Sequence, residues 1–105
     1  MINDKDRIVK FLDSTINNVY KILPLYEEKN IGLETYIESL IFDLKSSDKN
    51  IDIKYSGEFI SLLNILTSIK EEISKSDCKQ STIKRETFKS INIIKTMMIK
   101  VKRDI

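Results

Sequence analysis

A chain of 105 residues is long enough for one domain and too short for two. Apolar residues make up 41% and charged residues 32%, which excludes a disordered segment. The net charge of +2 and a pI of about 8.6 fall short of a strongly basic nucleic-acid binder.

With 2 Gly and 1 Pro, the chain lacks the turn residues that an all-β fold consumes, so helices are expected throughout. Over residues 4–23, Ile8, Leu12, Thr15, Ile16, Val19 and Leu23 recur on one face at 100° per residue. Phe11 and Ile22 widen that face, and Arg7, Lys10, Ser14, Asn17 and Lys21 fall opposite. Pro24 disfavours α geometry in the residue before it, so a boundary or kink is expected at Leu23. The proline could then start a short helical turn with Glu27 and Glu28 in its first turn, before Asn30 and Gly32 break the chain.

A second helix is expected from Leu33 to about Lys45, with Leu33, Tyr36, Ile37, Leu40, Ile41 and Leu44 inward. Phe42 falls on its outer side and is a secondary candidate for a contact surface. Residues 45–54 read as a polar connector. Ser56 then offers an N-cap, with Glu58 in the first turn of a third helix over 57–75. Its inward residues are Phe59, Leu62, Leu63, Leu66, Ile69 and Ile73, and Ile60 and Ile65 flank them.

After "KSDCKQS", Ser81 or Thr82 could cap a fourth helix. Its seam is Ile83, Thr87, Ile91, Ile94, Met98, Val101 and Ile105, in alternating steps of three and four that suit near-antiparallel packing. The expected fold is all-α, a single antiparallel up-down-up-down four-helix bundle spanning 1–105, with the first helix kinked or broken at Pro24.

The absence of histidine removes the commonest general base and the commonest metal ligand. With it go Ser-His and Cys-His nucleophile pairs and Cys/His zinc sites. No Gly-rich phosphate loop exists. Glu34 and Glu38 sit one turn apart, but a hydrated acidic face accounts for them without a metal. Cys78 is the single cysteine and has no base beside it. The four tyrosines are expected to bury their rings and leave their hydroxyls near water. Neither catalysis, nor a cofactor, nor a metal is expected.

Charge is uneven along the chain. Residues 79–105 carry eight basic and two acidic side chains, net +6, whereas 1–78 carry ten basic and fourteen acidic, net −4. On the last helix Arg85, Lys89, Lys100 and Arg103 gather opposite the seam, with Phe88 and Ile99 beside them and Ile93 on the other flank. A solvated surface rich in lysine would look like this. So would a protein-binding face with an apolar centre and charged rim, or a phosphate-contacting face. A membrane-surface helix is the least fitting, because the seam is needed for the core. No apolar run is long enough to span a bilayer, and the polar N-terminus has no signal-peptide h-region. The expectation is a small cytoplasmic protein of the inhibitor, immunity, adaptor or accessory type. It would bind a protein partner through Arg85, Phe88, Lys89, Ile99, Lys100 and Arg103. Nucleic-acid binding by the same residues is the alternative, and a homodimer is compatible with either.

Overall fold

The computed structural model describes residues 4–47 and 56–103. The described residues form five helical segments, α1 (Asp4–Tyr20), α2 (Ile22–Glu27), α3 (Leu33–Ser46), α4 (Ser56–Ile73) and α5 (Gln80–Arg103). With α1 and α2 forming one bent arm, they make an antiparallel four-helix bundle measuring 47 × 21 × 19 Å. No strand occurs among them.

The bend sits two residues before the position expected for it. Pro24 has no N–H to offer the Tyr20 carbonyl, and its ring crowds that same carbonyl. The helix therefore breaks at Lys21 and resumes at Ile22, which places Pro24 inside α2 and not at its start. The Lys21 carbonyl still accepts from the Leu25 N–H at 3.2 Å. Asn18 belongs to the last turn of α1, whose carbonyls run short of helical donors. Its carbonyl accepts the Tyr36 hydroxyl across the α1–α3 gap at 2.5 Å.

Lys29 ends α2 in the left-handed region, with φ of 56°. Its N–H reaches the Tyr26 carbonyl at 3.0 Å, and the Asn30 N–H reaches Leu25 at 3.0 Å, which satisfies two terminal carbonyls. Asn30 then turns its Oδ1 to accept the Gly32 N–H at 2.8 Å. A Cβ at Gly32 would lie 3.1 Å from that oxygen, so the close approach favours glycine as the residue preceding α3.

In α3, Leu33, Ile37, Leu40 and Leu44 are buried, and in α4 Phe59, Leu62, Leu66 and Ile69. Each such side chain stabilises the fold by about 1.5–3 kcal/mol relative to exposure. α4 starts at Ser56 and ends at Ile73, two residues short of the expected end, and Glu58 lies in its first turn. The N-cap expected of Ser56 concerns a side chain outside the described residues, as does Ile105 of the last seam.

α5 starts at Gln80, so Ser81 and Thr82 lie inside its first turn and neither is the cap. The Lys79 carbonyl accepts from Thr82 and Ile83 at 3.1 and 3.3 Å and takes that position. At 24 residues α5 is about 36 Å long. Its buried residues are Ile83, Thr87, Ser90, Ile91, Ile94, Met97 and Val101. Met97 is the fully buried methionine, and Met98, expected in the seam, is half-buried. The core stripe drifts toward the α4 side because α5 packs along both α1 and α4 and must bury a face wider than one seam. α3 packs on α4 and meets α1 through Tyr36, which leaves α3 and α5 at opposite corners of the bundle.

Candidate binding face on α5

The site is built from the residues that α5 leaves outside the bundle. Phe88, Asn92, Lys95, Ile99 and Arg103 follow one another in steps of 4, 3, 4 and 4 along its outer line. Phe88 is 44% exposed and Ile99 51%. Their separation of eleven residues puts them about 16 Å apart along the axis. Arg85 lies one turn before the line begins.

Phe88 is not a free aromatic. Its ring stands edge-on to Tyr20 of α1, centroids 6.1 Å apart and planes at 80°. Two half-exposed rings thus form one apolar knob at the α1–α5 edge. Tyr20, one of the tyrosines expected to bury their rings, is instead 40% exposed. A position on the flank of its own helix carries no sign of which ring lies across the gap.

The four cations expected to form an outward stripe are all exposed, but three meet carboxylates of the same chain. Arg85 Nε lies 3.5 Å from Glu86, and Lys89 Nζ lies 4.0 Å from the same side chain. Lys100 turns toward α4 and pairs with Glu58. That bond, with a backbone hydrogen bond at Glu58, holds the Glu58 carboxyl below its ordinary range. Lys89 and Lys100 therefore border the α4 side of the face, and its centre is Phe88, Ile99, Lys95, Arg85 and Arg103. Ile93, on the flank, is half-buried against the core.

Elsewhere Phe42 stands 69% exposed on α3, opposite that helix's buried face. Glu38, one turn before it, pairs with Lys70 of α4 at 3.0 Å. Glu38, with Glu34 and Glu71 at longer range, raises the Lys70 ammonium above its ordinary 10.5. Ile60 is also exposed, at the start of α4, and Ile65 is half-buried.

At the far end of the bundle a cleft of about 580 Å³ opens among Leu25, Tyr26, Leu33, Ile73 and Gln80. Gln80 Nε2 donates to Glu27 across it at 3.4 Å. The Tyr26 hydroxyl lies 3.4 Å from Cys78 Sγ, and this contact with burial pushes the phenol above 10.0. Burial likewise raises Tyr36, whose hydroxyl donates to Asn18. So the hydroxyls of Tyr26 and Tyr36 reach protein partners instead of lying free near water. Raised phenols remain protonated at neutral pH and supply no base there. Among the described residues no group of three His, Cys, Asp or Glu side chains is placed to hold a metal ion. None of the described helices is long and apolar enough to cross a membrane.

No protein-family model, curated protein or solved structure matches this chain. The reading of the α5 face therefore rests on its own geometry.

Proposed function

We propose that this protein is a non-catalytic interaction module that binds a protein partner through the outer face of α5. The observation that carries the reading is the pairing of exposed apolar groups with cations on one helix face. Phe88, braced by Tyr20, and Ile99 lie on one line with Lys95 and Arg103. An apolar centre with a polar, arginine-containing rim is the usual anatomy of a protein interface. The excess of cations suits an acidic partner surface.

A phosphate-binding role is less well supported. Arg85, Lys89 and Lys100 each have a carboxylate of the same chain within ion-pair distance, so part of the charge that would face phosphates is already neutralised. The test compares the tagged protein with an Ile99→Asp variant in capture from the host of origin. The reading expects a stoichiometric partner, other than this chain itself, that survives nuclease and is lost in the variant. Capture unchanged by Ile99→Asp would remove it. Recovery of nucleic acid with steep salt dependence would move the face to phosphate binding.

A further inference from the structure

We infer that the outer face of α3 is a second interaction surface, and that its occupant is the α5 face of another copy of this chain. The inference rests on the reading of α5 as a binding face and adds a second occupant of that face, distinct from the host partner. On α3, Glu34, Glu38 and Phe42 follow one another at four-residue spacing, so two carboxylates line up with the most exposed aromatic of the described helices. Glu38 pairs with Lys70 at 3.0 Å, and Glu34 and Glu71 act on the same ammonium at longer range, three carboxylates to one ammonium. On α5, Lys95, Ile99 and Arg103 also recur at four-residue spacing, with the charge reversed. The step of about 6 Å from Phe42 to Glu38 thus matches the step from Ile99 to either neighbouring cation.

The two faces cannot satisfy each other within one molecule, because α3 and α5 occupy opposite corners of the bundle. By sequence α3 carries Glu34, Glu38 and Asp43 against Lys45, net −2, and α5 carries seven cations against Glu86, net +6, so the two helices differ in sign. A second copy is the one partner that carries both complements in equal amount. Since the joined faces differ, the contact is head-to-tail. It either closes into a ring or extends, and it is not a two-fold dimer. One aromatic, one isoleucine and a few ion pairs make a small interface, below about 1,200 Å², so the association is concentration-dependent and weakened by salt.

The test is sedimentation equilibrium of the intact chain from micromolar to millimolar concentration. The wild-type mass should rise above the 12.3 kDa monomer as concentration increases, and fall back at high salt. Phe42→Asp and Ile99→Asp should each stay monomeric, with circular dichroism and urea midpoint showing that both remain folded. An equimolar mixture of the two should form a dimer and stop there, because one intact α3 face and one intact α5 face remain. A wild type that stays at monomer mass at millimolar concentration overturns the inference. So does a mixture that fails to associate when the wild type does. Phe42→Asp keeps its α5 face and should still capture the host partner. Failure of self-association is thereby separated from failure of the α5 reading.

Discussion

Phe88 of α5 and Tyr20 of α1 meet edge-to-face, centroids 6.1 Å apart, at the boundary between bundle and solvent. The contact ties the proposed binding face to the helix behind it. Such pairs contribute about 0.5–1.5 kcal/mol beyond area burial. A double-mutant cycle on Tyr20→Ala and Phe88→Ala should return a coupling energy in that range by urea unfolding. A coupling near zero would mean that the rings do not brace one another in solution.

The Thr87 hydroxyl is fully buried and finds no hydrogen-bond partner among the described residues. The two other buried hydroxyls, of Thr15 and Ser90, both reach the carbonyl four residues earlier, at 2.8 and 3.0 Å. Burying an unpaired hydroxyl costs about 1–3 kcal/mol. Thr87→Val keeps the shape and removes the polar atom, so it should stabilise the fold by about 1 kcal/mol in chemical denaturation. Destabilisation would show that the hydroxyl is paired after all.

Lys29 occupies a left-handed conformation that costs a side-chain-bearing residue about 1–2 kcal/mol. Lys29→Gly should relieve this and raise stability by about 0.5–1 kcal/mol, net of the extra chain entropy glycine loses on folding. The readout is the urea midpoint at unchanged m-value.

Glu58 titrates below its ordinary 4.5 because Lys100 hydrogen-bonds the ionised form. A carboxyl depressed in the folded state adds stability that is present above its unfolded value. That stability is lost as pH falls through the folded value. Urea midpoints of the wild type should therefore drop on acidification below about pH 4.5, and Lys100→Met should flatten that part of the profile. A parallel profile in the variant would contradict the assignment.

Much of this bundle is legible in the sequence, and the parts that are not share a physical cause. Periodicity along a single helix finds Leu33, Ile37, Leu40 and Leu44 directly, because each helix has one buried side. It also places Phe42, Phe88 and Ile99 on the outside. It misses events set by two elements at once. Pro24 acts on the carbonyl four residues back, so the bend falls at Lys21 and not at Leu23. Met97 outranks Met98 because α5 packs on two neighbours. Lys89 and Lys100 look like members of an outward stripe until Glu86 and Glu58 are placed beside them. Tyr20 and Tyr36 acquire their partners from other helices, which no wheel for their own helix contains.

The most direct test of the account is affinity capture from the host of origin, after nuclease treatment, with the wild type and with Ile99→Asp. Ile99 is exposed and remote from the Tyr20–Phe88 contact, so its substitution should change stability by less than about 0.5 kcal/mol. The account predicts one stoichiometric protein, other than further copies of this chain, that the wild type retains and the variant loses while still folded. Retention of the same protein by the folded variant would contradict the claim that the outer face of α5 is where this protein binds.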